Sequence, residues 1–403
     1  MIEATGQAFG DRYRTLTEAQ VIATMLLEGH AHCPDLAAAS AEAASALGRL
    51  ARAGLGRRQN GNGYLYDPVE VATFVKLAGL REEDDYWERC YVATLRRFVT
   101  DLAAETASTR RVRYRRHFDT SRIEAGKTLR LRMPLPLAGR YAGLAVSPEL
   151  PAEAAGHRVS DGRLEVRVAA SGAAEIALGA RLDLELGPPP CEGPAEGDLY
   201  LRAKEGLVVI SPAVAELALR LSGTGTPHRA AVRAFWEYLV GNFIFCPVHY
   251  DQVPAEAPLD WVLEKRVYDC QLASALLVGL CRARGIPARL VGGHFLYRRS
   301  PTNHYWAEVW LDDSGWTPFD FIGWDLSRGG RDEDWRDRFA GQVDPRLITE
   351  CLPQSFTGAI GVPIPEIWFM LRTMEGTGAQ LRLAGANGET VYRDSVAILE
   401  APA

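Results

Sequence analysis

Val267-Tyr268-Asp269-Cys270-Gln271-Leu272-Ala273-Ser274-Ala275-Leu276-Leu277-Val278-Gly279-Leu280 decides how this chain is read, together with the Cys281-Arg282-Ala283-Arg284-Gly285-Ile286-Pro287-Ala288-Arg289 that follows. The run predicts a helix that starts at Cys270, is apolar on nearly every face, and stops at Gly285. A strand then starts at Ile286-Pro287. Thirty-four residues after the cysteine comes the His304 of Asn303-His304-Tyr305-Trp306-Ala307-Glu308-Val309-Trp310, and sixteen further on the Asp320 of Gly315-Trp316-Thr317-Pro318-Phe319-Asp320. A thiol at a helix start, followed by a His and an Asp on strand-like segments, supplies the parts of a nucleophilic triad. The amides and dipole at the helix start favour a thiolate, and a neighbouring imidazolium favours it further. The carboxylate would hold the imidazole in one tautomer and orientation.

The rest of the composition narrows the field. The 403 residues call for two or three domains, and 47% apolar with 24% charged residues is ordinary for a chain that buries a core. A net charge of −6 argues against broad binding to nucleic acid or to an anionic membrane. The start, Met1-Ile2-Glu3-Ala4-Thr5-Gly6-Gln7, has neither a basic nor an apolar leader region. No apolar run reaches the roughly 18–20 residues of a membrane span. The expectation is therefore a cytoplasmic protein with no membrane partner. The seven cysteines (33, 90, 191, 246, 270, 281 and 351) are odd in number and contain no CxxC pair. That suits neither a disulfide framework nor a zinc site, and no metal or other cofactor is expected.

Four segments follow from changes in periodicity. Residues 1–107 read as helical: a helix capped at Thr17 and ended by Gly29, a short Ala-rich one opened by Pro34-Asp35, and a third through Ala44, Leu47 and Leu50 to Gly54. Strand-like pieces around Asn60-Gly61 follow, so three helices and a hairpin resemble a winged helix. The third helix carries only Arg49 and Arg52, so DNA reading is not expected. A peptide- or protein-docking role for residues 1–105 is the functional alternative to a structural cap. Residues 83–105 read as an amphipathic connecting helix. Residues 108–195 alternate with period two, as in Val112-Arg113-Tyr114-Arg115-Arg116-His117-Phe118, and predict an antiparallel β-sandwich. A Gly-Pro-rich linker at 187–194 leads into 196–340, which carries the triad. Residues 341–403 form a C-terminal β extension that packs on the core or pairs with the second segment.

The core motifs closely resemble the bacterial transglutaminase-like family. Asp269-Cys270 opening a helix, Gly285-Ile286-Pro287-Ala288-Arg289 after it, His304-Tyr305-Trp306-Ala307-Glu308-Val309 and Gly315-Trp316-Thr317-Pro318-Phe319-Asp320 agree with that family in order, spacing and flanks. The resemblance spans about residues 108–330. It implies an α+β fold with a papain-like transglutaminase core, Cys270 as nucleophile, His304 as general base then acid, and Asp320 as the orienting carboxylate. Position 268, often glycine in the family, is Tyr268 here and would narrow acyl access or line the groove.

The backbone NH of Cys270 is one oxyanion donor. For the second, Gln252, Tyr250 and Trp261 stay open. Trp306 and Trp316 read as packing around the triad, with Trp306 also a cleft candidate. Glu308 and Arg289 read as partnered structural charges, and His294 as a structurally satisfied histidine. The expected chemistry is acyl transfer from a peptide or amide through a thioester, ending in hydrolysis or transamidation. Two alternatives stand beside it: a peptide-tailoring biosynthetic enzyme with an N-terminal docking module, and a non-catalytic scaffold that keeps the fold.

Overall fold

The chain is seen here as a computed structural model. It describes residues 16–17, 36–58, 64–66, 68–81, 87–88, 91–92, 95, 99, 102, 108–186 except 122, 138 and 161, 198–351 except 249–251, 255 and 298–302, and 370–372, 379–385 and 388–399. It opens with β1 (Leu16–Thr17), α1 (Leu36–Arg52), β2 (Gly56–Arg58), β3 (Tyr64–Tyr66) and α2 (Pro68–Arg81). β3 pairs with both β1 and β2. The two helices expected on either side of residue 40 are one, because no glycine or proline separates them and alanine is the strongest helix former. Gly54, at φ 80°, turns the chain out of it. Thr17 is strand, and the helix expected beyond it lies outside the described residues, as does the 187–194 linker.

The second segment contains β4 (Thr109–Asp119), β5 (Thr128–Pro134), β6 (Gly143–Glu149), β7 (Ala154–Ser160), β8 (Arg163–Ala169) and β9 (Glu175–Glu185). Alternation sets which side chains go inward: Val112, Tyr114, Arg116 and Phe118 of β4 are buried. β5, β8 and β7 form one sheet; β4, β9 and β6 belong to another, and the apolar faces of both contribute to a single hydrophobic cluster.

The chemistry-bearing segment runs through a small hairpin, β10 (Lys204–Glu205) and β11 (Val208–Val209), then α3 (Pro212–Ser222), α4 (His228–Asn242), β12 (Ile244–Phe245), α5 (Pro258–Lys265), β13 (Val267–Tyr268) and α6 (Cys270–Ala283). Every residue of α6 from Cys270 to Arg282 is buried, as its apolar circumference requires. Next come β14 (Ala288–Phe295), β15 (Asn303–Leu311), β16 (Gly315–Phe319), α7 (Ile322–Leu326), α8 (Glu333–Arg338) and β17 (Arg346–Cys351). The core sheet is antiparallel, in the order β16-β15-β14-β17, and α6 packs across β15 and β14. Its fourth strand thus comes from beyond residue 340, the limit expected for the core. The tail supplies β18 (Met370–Arg372), β19 (Ala379–Gly385) and β20 (Gly388–Leu399), and β20 pairs with β4 along its length. The whole is a mixed α+β fold. Among the described residues, no helix is long and apolar enough to cross a membrane.

Candidate active site

Asp269 is the N-cap of α6. Its Oδ1 accepts from the amides of Gln271 and Leu272, both at 3.0 Å, and its carbonyl accepts from Ala273. The helix start that presents Cys270 is therefore occupied by an anion as well as by a dipole. Cys270 itself is completely buried. β15 brings His304 to the end of the core sheet, and β16 delivers Asp320 one residue past its own end. His304 Nε2 and Asp320 Oδ1 are 2.7 Å apart, and the Ile322 amide donates to the same oxygen at 2.8 Å.

Asp320 is wholly buried. Burial alone would raise its carboxyl, but Arg346 and His304 outweigh that and bring it down to about 2. An ionised Asp320 can only accept, so His304 Nε2 carries the proton and Nδ1 is left as the basic nitrogen. The ring also stacks on Phe295, with centroids 4.3 Å apart. The packing of α6 on β15 brings Cys270 within electrostatic reach of Tyr305, the neighbour of His304; the Tyr305 hydroxyl is raised by burial first, then by Glu350, Tyr392 and Cys270.

Sequence reasoning missed Arg346, for it sits on β17 and has no motif around it. Its Nη1 lies 2.5 Å from Asp320 Oδ2, a charge contact rather than an aligned hydrogen bond, and its Nη2 donates to Asp344 Oδ1 at 2.9 Å. The guanidinium lies 4.9 and 4.8 Å from the ring centroids of Phe295 and Trp306. The signal that could have pointed to it is the Asp344-Pro345-Arg346 charge pair leading into the apolar Leu347-Ile348.

The remaining expected residues separate. Tyr268 does not line a groove: it is buried, stacks on Phe243, and donates its hydroxyl to the Leu239 carbonyl at 2.8 Å. The buried phenol is satisfied in the core by that carbonyl. Trp306 is likewise internal, clustered with Val291 and Cys351. Gln252 is exposed, Trp261 is half-buried on α5, and Tyr250 lies outside the described residues. Glu308 is a structural charge, paired with both Arg289, at 2.7 Å, and Arg140 of the second segment. His294 packs on Tyr114 with neither ring nitrogen hydrogen-bonded, unlike the satisfied histidine expected, and burial pushes its ring down to about 4. Burial also raises the thiols of Cys246, Cys281 and Cys351, that of Cys351 to about 11, as expected of inert cysteines. Among the described residues no cluster of His, Cys, Asp and Glu could hold a metal ion.

Comparison with known proteins bears on this region. No curated protein matches the chain. A protein from Cytophaga hutchinsonii assigned as a cysteine protease is 14% identical, covers 73% of this chain and 99% of its own, and superposes with a TM-score of 0.39. The periplasmic domain of TgpA from Pseudomonas aeruginosa is 16% identical over 59% of this chain and 95% of its own, with a TM-score of 0.29. These likenesses are too distant to carry an argument. Residues 215–321 match the transglutaminase-like superfamily, and Cys270, His304 and Asp320 all lie within that transglutaminase-like core.

Proposed function

We propose that this chain is a thiol-dependent acyl-transfer enzyme acting on a peptide or protein amide through a thioester on Cys270. The observation that carries the reading is the buried His304–Asp320 pair, with Nε2 and Oδ1 2.7 Å apart. His304 Nδ1 takes the proton of the Cys270 thiol, and the sulfur attacks the substrate carbonyl to form a C–S bond and an oxyanion. The Cys270 amide is the first oxyanion donor. The intermediate collapses, the C–N bond breaks, and the leaving amine takes the proton from His304. Water or a primary amine then attacks the thioester, giving up a proton to His304, and the thiol is restored. The transglutaminase-like core at 215–321 supports this assignment.

Water as acceptor makes the enzyme a hydrolase, and an amine makes it a transamidase. A peptide-tailoring role, with the winged-helix-like segment at 1–105 as docking module in a cytoplasmic setting, is the narrower form of the same proposal. Because Cys270 is fully buried, the covering chain must move aside before a substrate enters. Intact-mass measurement after incubation with peptide pools tests the proposal. Wild type gains an acyl mass, Cys270→Ala gains none and stays folded, and added amines speed release if transfer is the outcome. Turnover that survives in Cys270→Ala would sink the mechanism.

A further inference from the structure

His304 and Asp320 do not stand alone. Four buried groups form a line of alternating charge: Asp344, Arg346, Asp320 and His304. Arg346 is 1% exposed at its side chain and Asp344 is 7%. With His304 neutral, Asp344, Arg346 and Asp320 sum to one negative charge; a second proton on the imidazole makes the line neutral. The Tyr297 hydroxyl, just beyond the end of β14, faces Asp344 and is the other titratable group acting on the arginine.

The scaffold gives the arginine little freedom. Phe295 and Arg346 are register partners on β14 and β17. The guanidinium lies against two rings, one of which also stacks on His304. The second segment fixes the strand as well, since Tyr141 donates to the Arg346 carbonyl at 3.0 Å. Arg346 lies beyond residue 321, where the superfamily match ends.

We propose that Arg346 is a positioning residue for the His304–Asp320 pair: it holds the Asp320 carboxylate in place and, together with Asp344, fixes the charge that a protonated His304 completes. Removing the arginine charge leaves two carboxylates beside the ring and favours imidazolium. Removing the Asp344 charge leaves the arginine uncompensated and disfavours it. A purely structural contact would not produce effects of opposite sign.

The proposal rests on reading His304 as the base of the site, so the experiment is done without the nucleophile. The full chain carrying Cys270→Ala is labelled with ¹⁵N/¹³C-histidine, and the His304 ring is assigned by its loss in His304→Asn. Asp344→Asn should lower the ring pKa and Arg346→Gln should raise it, each by about one unit for one charge at this range. Arg346→Lys keeps the charge but not the stacked fork, so its ring pKa should lie closer to the parent than that of Arg346→Gln. Asp344→Asn is isosteric, so the test survives if Arg346→Gln fails to fold. Shifts of one sign in both variants, or no shift with Asp344→Asn, would overturn the proposal. The acyl-transfer reading fails by a different result, activity that persists without Cys270.

Discussion

Asp269 sets two demands against each other at the first residue of α6. As N-cap it satisfies the Gln271 and Leu272 amides, and as an anion beside Cys270 it opposes the thiolate that those amides would otherwise favour. Asparagine caps as well as aspartate but carries no charge. Asp269→Asn should therefore leave stability within about 0.5 kcal/mol. It should also move the alkylation midpoint of Cys270 to lower pH, by about one unit. Iodoacetamide labelling across pH, read on the Cys270 peptide, checks this; a midpoint that rises would refute it. Glu350 makes the second prediction at this scale. Burial raises its carboxyl from 4.5 to about 7, against the pull of Arg116 and of the Tyr305 hydroxyl that donates to it. Between those values the unfolded chain has lost the proton that the folded chain keeps, so stability falls as pH rises from about 4.5 to 7 and then levels. Glu350→Gln should remove that fall, gaining about 3 kcal/mol at pH 8 and nothing at pH 4. Urea denaturation at the two pH values decides it.

β14 and β17 show how an element is shaped by what a residue lacks. The register shifts between Gly292 and Gly293, and a Cβ on Gly293 would stand 1.9 Å from the Leu347 carbonyl oxygen. Only glycine admits that approach, and it places Arg346 opposite Phe295. Gly293→Ala should cost about 3 kcal/mol by displacing β17, and should lower acyl-enzyme formation as Arg346 withdraws from Asp320. Wild-type stability in this variant would show that the two strands part without strain. The same strands mark the limit of what was legible. α6, β15 and β16 announce themselves through local periodicity and flanks, and so do Cys270, His304 and Asp320. Arg346 reaches the site through a bulge and a long-range pairing, and no local pattern encodes either. Tyr268 misled because a large aromatic before the cysteine looks the same in sequence whether it faces a groove or the core. The merged α1 is the converse case, where an alanine run offered no boundary to read.

Over the whole molecule, the core is held by charges sent from distant parts of the chain. Lys76 of α2 donates to the Phe245 carbonyl at 2.6 Å and pairs with Asp325 at 2.7 Å. Arg140 reaches Glu308 from the second segment. Asp394 of β20 receives both arms of Arg116 at 2.7 Å and the Tyr114 hydroxyl at 2.9 Å, all buried, across a gap of 278 residues to Arg116. Arg116 occupies an inward position of β4 that would otherwise be apolar, so its charge depends on β20 being in place. Asp394→Ala leaves that guanidinium buried and unpaired, which costs about 3–5 kcal/mol. Replacing both partners by apolar groups of similar volume costs far less, so Arg116→Met combined with Asp394→Leu should recover most of the loss. The pair therefore makes β20 obligatory to the fold more than it makes the fold stable. Urea midpoints for the two singles and the double test this, and a single Asp394→Ala within about 0.5 kcal/mol of wild type would show the tail to be an appendage.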